Sequence, residues 1–280
     1  MGIIPLSSCE PGEADEVHRN LGEQAVRAAI ENNLYELWVK AATICSGTVY
    51  RNDELAWVKT DNSDWPNAIF RANFSVGDAD KKAGMIAEQI RCGQMPNSWT
   101  VGPATAPENL RDILVSHGFR QYYQQCGMAA DLTRTDNREE QPDDGGVVVR
   151  IKGLEQLKQW LAVSNECFKE NVNLEVMARL LNQADSAFYA GRYQQKTVAT
   201  LLAYFSAEVA GINFVSTLPA YRGKGMASIL VRSALREARE RGYKYAVLQS
   251  SPMGESVYQR IGFKRYFDIY HYKGVLVRKV

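Results

Sequence analysis

The stretch Phe214-Val215-Ser216-Thr217-Leu218-Pro219-Ala220-Tyr221-Arg222-Gly223-Lys224-Gly225-Met226-Ala227 decides how this chain is read. A β-branched run reaches Pro219, and a turn holding two glycines follows. Ala227, Leu230, Val231, Ala234, Leu235 and Ala238 then recur at helical spacing up to Gly242. The pattern predicts a strand, a Gly-rich turn and a helix over about 225–241. Glycines let the backbone turn tightly and aim several N–H groups at one point. The helix start adds its dipole and its unpaired donors. Together they form a cradle for a pyrophosphate, with Arg222 and Lys224 supplying charge at its rim. Two familiar phosphate loops are excluded. Gly225 is followed by Met226 rather than the Lys of a P-loop. A dinucleotide fingerprint fails at Ser228, and the turn lies late in the chain without the acidic partner of a βαβ unit. A glycine-capped turn without a ligand would carry the same two glycines.

Working outward, Val147–Ile151 reads as a short strand. Leu154, Leu157, Trp160, Leu161 and Phe168 make one helical stripe, and Leu174, Met177, Leu180 and Leu181 a second. Strands follow at 187–190, 197–205 and 210–217. After the long helix come a strand at 245–249, a short helix from Glu255 to Ile261 closed by Gly262, an aromatic strand at 263–272, and Val275-Leu276-Val277. This order, ααβββαβαβ, predicts a mixed α/β (α+β) layer fold. Upstream, Thr133–Gly146 has a linker composition, with charges, a Pro, a Gly pair and no large apolar residue. It divides the chain into 1–132, a linker at 133–146, and 147–280. The first half holds a partial echo: a strand at Trp99-Thr100-Val101-Gly102, then a short helix closed by Gly118-Phe119, as the later one is closed by Gly262-Phe263.

The chain has 280 residues, with 33 Lys+Arg against 32 Asp+Glu and a net charge of +1. Such a chain has no global field to steer it onto nucleic acid or an acidic membrane, so any anion site is local. No apolar run nears the ~18 residues of a membrane span, and no secretory signal is visible, so a cytoplasmic location is expected. The five cysteines, Cys9, Cys45, Cys92, Cys126 and Cys167, are scattered and never spaced as C-x-x-C. They read as reduced thiols rather than a disulfide or zinc framework. The three histidines, His18, His117 and His271, form no ligand pair. No metal is expected, and a Ser-His-Asp hydrolase has few candidates.

Arg222-Gly223-Lys224-Gly225-Met226-Ala227 fits the loop [QR]-x-x-G-x-[GA] of the GNAT superfamily of acetyl-CoA-dependent N-acyltransferases, and the resemblance covers Gly145–Val280. Ser251-Pro252-Met253-Gly254-Glu255-Ser256-Val257-Tyr258-Gln259-Arg260-Ile261-Gly262-Phe263 resembles its N-x-x-A-x-x-[LF]-Y-x-x-x-G-F element, with Ser251 in place of Asn and Gly254 in place of Ala. The resemblance implies that Val215, Ser216 and Thr217 pair with the pantetheine arm. It implies that Arg222, Gly223, Lys224, Gly225, Met226, Ala227 and Ser228 hold the pyrophosphate, that Ser251 also touches the cofactor, and that Tyr258 is the general acid. The first half resembles the degenerate N-terminal half of bacterial tandem GNAT proteins. It has no such loop, and Leu114 stands in the place of the tyrosine, so it is expected to bind no CoA.

The implied activity is transfer of an acetyl group from acetyl-CoA to an amine by direct attack in a ternary complex, which needs no enzyme nucleophile. The alternative is a catalytically idle acyl-CoA-binding or interaction module. The general base is unassigned: Glu208 is the nearest acid before the strand, and the usual position matches Gly211. The acceptor amine is unnamed. Its pocket is expected around Trp160, Phe168 and Tyr266–Tyr272, and a homodimer is left open.

Overall fold

The computed structural model describes residues 21–135 and 145–274. Most of the linker, the strand expected at Val275–Val277, and Cys9 and His18 lie outside them. The first half contributes α1 (Glu23–Ile44), β1 (Thr48–Arg51), β2 (Ala56–Lys59), β3 (Ala68–Phe70), α2 (Ala79–Arg91), β4 (Ser98–Val101), α3 (Leu110–Ser116) and β5 (Arg120–Asp131). The second contributes β6 (Val147–Arg150), α4 (Leu154–Phe168), α5 (Leu174–Leu181), β7 (Ser186–Tyr193), β8 (Lys196–Phe205) and β9 (Ala210–Thr217). It continues with α6 (Met226–Glu240), β10 (Tyr245–Ser250), α7 (Glu255–Ile261) and β11 (Lys264–Lys273). The order ααβββαβαβ holds through the second half, and the helix at the Gly-rich turn begins at Met226.

The eleven strands of the described residues form one sheet, in the order β1-β2-β3-β4-β11-β5-β10-β9-β8-β7-β6. Each half repeats the run of three antiparallel strands, helix, parallel strand, helix, strand. The last strands are exchanged. β11, made by the second half, pairs with β4 of the first, and β5 of the first pairs with β10 of the second. β5 and β11 pair with each other at the centre. The halves therefore share one continuous sheet.

Helices cover both faces. On one, α6 and α7 bury Met226, Leu230, Val231, Ala234 and Tyr258 against β5 and β7–β10. On the same face α2 and α3 cover Trp99, Tyr272 and their neighbours in β3, β4 and β11. On the other face α4 and α5 pack Leu157, Trp160, Met177 and Leu180 on β7 and β8. Beside them α1 crosses the middle of the sheet, touching β10, β5, β9, β2 and β1. α1 thus belongs to both halves. Its Asn33 donates from Nδ2 to Ser206 Oγ (3.0 Å) at the β8–β9 turn, and its Glu31 accepts from Ala104 N–H (3.2 Å).

Candidate functional site

The parallel pair β9–β10 is in register only at Ala210–Ala246, Gly211–Val247 and Ile212–Leu248. Beyond Ile212 the strands splay. The cause is local. Phe214 has φ +51°, a conformation that a bulky L residue adopts only under constraint. The register with β8 slips there, from Thr200–Ser216 to Leu202–Asn213. This is a β-bulge, which bends its strand. Thr200 pins it from β8, its Oγ1 lying 2.8 Å from the Phe214 carbonyl and 2.7 Å from Ser216 Oγ. Residues 213–217 keep β8 on one side and, among the described residues, have no strand partner on the other. β10 stops at Ser250, so the opposite wall of the gap is the free edge of β5, near Tyr123 and Gln125. The cleft of the second half is therefore walled by a strand of the first.

The splayed strand carries two shielded polar atoms, Asn213 Nδ2 and Thr217 Oγ1, with no hydrogen-bond partner among the described residues. Buried polar groups are nearly always paired, so such orphans along an open edge fit a ligand that supplies the missing partners. Downstream, a 3-10 turn at Pro219–Tyr221 leads into the loop. Arg222 Nε donates to the Thr217 carbonyl (3.0 Å), folding the loop back on the strand end. Gly223 and Gly225 have φ +78° and +76°, and a Cβ at either would meet nothing within 4 Å. The loop is thus left-handed and open on its outer side. The first helical bond of α6 runs from Ile229 N–H to Gly225 C=O (3.2 Å), so the N–H groups of Met226, Ala227 and Ser228 precede it. Lys224 lies over the ring of Tyr193, which stacks on Tyr221. A groove of 660 Å³ flanks the loop between α4, the β7–β8 hairpin and Tyr221. Every residue expected to hold the pyrophosphate sits at this one turn, with a division of labour the sequence does not reveal: the Met226 side chain is buried in the core, so only its backbone can face a ligand.

Tyr258 lies on α7, buried at 9% exposure, with its ring against Phe263. Burial, with Tyr123 nearby, pushes its hydroxyl well above the ordinary tyrosine range, so it stays protonated. Gly254 admits that ring: a Cβ there would stand 3.1 Å from Tyr258 Cε2. Ser251 accepts from Gly254 N–H (3.3 Å), with Tyr123 of β5 nearby.

Of the two positions weighed for a base, Glu208 sits in the β8–β9 turn, about 20 Å along the strand from Phe214 at ~3.3 Å per residue. Gly211 faces α1, and a Cβ there would lie 1.8 Å from Asn33 Oδ1. Of the expected pocket residues, Trp160 is core and donates from Nε1 to the Tyr189 carbonyl, while Tyr266 lies under α1, where Arg27 bonds its carbonyl. Phe168, exposed at the end of α4, lies 5.9 Å from Phe214, as the buried ring of Trp160 also does. Trp65 of the first half contacts the Phe214 ring at 5.0 Å. The contributions of Trp65, Tyr123 and Thr200 have no signal in the sequence, because no local pattern brings positions so far apart together.

The equivalent gap in the first half is closed. Past β3, Ala106 N–H bonds the Ala72 carbonyl (2.9 Å) and Phe74 N–H bonds the Ala106 carbonyl (3.1 Å), so the segment after β4 fills the splay. The start of α2 carries Asp78 and Asp80, with Asp78 bonded to Ser75 and facing Lys82.

Among the described residues no helix is long and apolar enough to cross a membrane, and no group of three His, Cys, Asp or Glu is placed to hold a metal ion. Residues 154–263 match the acetyltransferase (GNAT) family. No curated protein matches the sequence. Among solved structures, a GCN5-related N-acetyltransferase from Kribbella flavida is similar over 90% of this chain and 97% of its own, with TM-score 0.69 and 17% identity. A functionally unknown conserved protein from Staphylococcus epidermidis is similar over 83% of this chain and 96% of its own, with TM-score 0.60 and 10% identity. A Drosophila protein is similar over 92% and 98%, with TM-score 0.56 and 11% identity. These likenesses span both halves of the fold.

Proposed function

We propose that this chain, whose residues 154–263 match the acetyltransferase (GNAT) family, transfers an acetyl group from acetyl-CoA to an amine by direct attack within a ternary complex. The observation that carries this reading is the splay itself: an unpaired strand edge at 213–217 leads directly into a left-handed Gly-Lys-Gly loop at the start of a long helix. The edge suits an extended pantetheine arm along Val215, Ser216 and Thr217. The loop suits a pyrophosphate facing the N–H groups of residues 223–228, with Arg222 and Lys224 balancing its charge. The backbone at the Phe214 bulge is the candidate donor to the thioester oxygen. Tyr258, held protonated by burial, is the candidate to protonate the departing thiolate, with Ser251 on the cofactor's other side.

On this reading the first half binds no CoA. Its groove is occupied by its own chain at 102–106, and the carboxylates at the start of α2 would repel a pyrophosphate. Its role is to wall the cleft. Cys45, Cys92, Cys126 and Cys167 are free thiols, which suits a reducing compartment such as the cytoplasm.

The displacement of the usual base position by Asn33 favours the competing reading of an idle acyl-CoA-binding module. Release of free CoA thiol, measured with acetyl-CoA and a panel of amines, separates the two. Amine-dependent release supports the enzyme; CoA binding without release under any amine supports the module.

A further inference from the structure

Both walls of the splay carry a bulge. On β9 the slip at Phe214 turns its ring to α4, where Trp160 and Phe168 each lie 5.9 Å away. On β5, Tyr123 pairs with His271 of β11 and Gln121 with Tyr272, so Tyr122 is the extra residue of a second bulge. A Cβ at Gly127 would stand 3.0 Å from Ile30 of α1. Gln125 and Tyr123, two and four positions back, therefore point to the α1 face. Strict alternation would send Tyr122 to the other face. The bulge keeps it beside Tyr123: the two rings lie 6.3 and 5.9 Å from that of buried His271, whose Nε2 is 2.9 Å from Gln125 Oε1. Both walls thus present aromatic rings to the face that α1 and α4 share.

A loop of the first half bridges these walls. β3 stands five places from β9 in the sheet, about 24 Å if the sheet were flat at ~4.8 Å per strand. Yet Trp65, in the β2–β3 loop, meets the Phe214 ring at 5.0 Å. The loop is tied to the α4–α5 loop: Asp64 N–H donates to the Asn171 carbonyl (3.1 Å), Asn171 N–H to Asp64 Oδ2 (2.6 Å), and Asn173 N–H to Ser63 Oγ (3.0 Å). The result is a recess bounded by β5, the bridging loop and the end of α4. Tyr122, Tyr123 and Phe168 are all exposed there. The tyrosines are nevertheless held: Tyr122 Oη lies 3.1 Å from Ser98 Oγ, and Tyr123 leans on His271. Single exposed apolar residues are ordinary, but a group of fixed rings at the mouth of a cleft marks a binding surface.

Resting on the acetyl-transfer reading of this cleft, we infer that the acceptor is a primary amine carried a few bonds from an aromatic ring, and that Tyr122 and Tyr123 of the first half select it by ring contact. The ring of the acceptor lies against the two tyrosines, and its amino group points inward to the Phe214 bulge. Two flat rings offered side by side suit a third, through offset or edge-on contacts that gain more than apolar area alone. Lys273 Nζ already stands over Tyr122, 4.5 Å from the ring centroid. That face of the ring is taken by a cation, which sets a neutral ring ahead of a polyamine. The first half then chooses the substrate while the second holds the cofactor.

The test uses the full chain with acetyl-CoA and four amines: phenethylamine, its saturated counterpart 2-cyclohexylethylamine, n-hexylamine and spermidine. Thiol release should place phenethylamine ahead of the saturated counterpart by about 5- to 10-fold in kcat/KM. Tyr122→Leu keeps apolar bulk and loses the ring. It should raise KM for phenethylamine several-fold and bring the two cyclic amines level, while kcat and calorimetric CoA affinity stay within about twofold of wild type. Tyr122→Phe, which keeps the ring and gives up the Ser98 contact, should retain the preference. Any of the other three amines turned over as well as phenethylamine, or a preference unchanged in Tyr122→Leu, would overturn the aromatic recess while leaving acetyl transfer intact. Absence of turnover by the wild type with every amine would overturn both.

Discussion

Arg71 and Phe214 occupy corresponding places in the two halves of the sheet. Each lies two residues past the isoleucine of the last parallel pairing, Ile69 with Trp99 and Ile212 with Leu248, and each has a positive φ, 53° and 51°. Such a backbone costs about 1–3 kcal/mol and persists only where its surroundings impose it. Around Phe214 the kink opens a cleft. Around Arg71, whose guanidinium bonds Asn32 Oδ1 (2.7 Å), the same kink leads into a groove filled by residues 102–106. We take the two as copies of one device, kept open in one half and sealed in the other.

One CoA per chain is the expected stoichiometry. Titration calorimetry of the intact protein checks it. Two equivalents bound would mean that the segment 102–106 leaves its groove.

The Gly-rich loop should answer to charge more than to shape. Gly225→Ala and Gly225→Asp both place a side chain at φ +76°, at a cost of about 1–2 kcal/mol. Only the aspartate sets a negative charge before the N–H groups of α6. Gly225→Asp should abolish CoA binding, and Gly225→Ala should weaken it modestly, with both variants folded by circular dichroism. Equal affinities in calorimetry would remove the loop from the phosphate site.

Tyr258→Phe keeps the buried ring and loses only the hydroxyl. Turnover should fall by up to about 10²-fold, at the low end of general-acid effects because a thiolate already leaves readily. Acetyl-CoA affinity should hold. Because burial raises this hydroxyl, its ionisation adds no basic limb to kcat below about pH 10. A steady-state pH series on both proteins checks loss and limb together.

His271 couples stability to pH. It lies buried between Thr100 Oγ1 (3.1 Å) and Gln125 Oε1 (2.9 Å), and burial lowers it to about 4. An unfolded histidine titrates near 6.5. Between these values the unfolded chain binds more protons, so stability rises with pH across this window and is lost as pH falls through it. The contribution is up to about 3 kcal/mol above pH 6.5. Urea unfolding at pH 5 and pH 7 should show this slope in the wild type and a flatter one in His271→Gln.

The shared sheet should hold a cut chain together. β5 makes six register pairs with β10 and nine with β11. With a protease site inserted within 136–144 and cleaved after folding, the two pieces should co-elute as one particle in size-exclusion chromatography and retain CoA binding. Separation without denaturant would contradict the exchanged pairing.

The second half was legible because its elements are long and regular: β8 and β9 are β-branched runs, and α6 has one clean apolar stripe closed by Gly242. The first half was not. β1 to β3 are only three or four residues each, and α1 buries Glu31 and Asn33 along with its apolar residues, because it lies across a sheet with neighbours on several sides. The loop and Tyr258 could be read from local pattern, since a glycine turn at a helix start is a local property. Trp65 and Tyr123 could not, since their places beside the splay depend on which strand β10 takes as its neighbour.

The exchange of β5 and β11 also fixes when the molecule can be finished. Synthesis delivers β5 before β10 and β11 after it. Until β11 emerges, the inner edge of β4 has no partner, and the first-made half cannot close its own sheet. Native pairing of the first half is therefore completed only by a strand of the second. The strands made before β5 wait for one made after β10, and a chain truncated before β11 leaves the edges of β4 and β5 exposed to other chains.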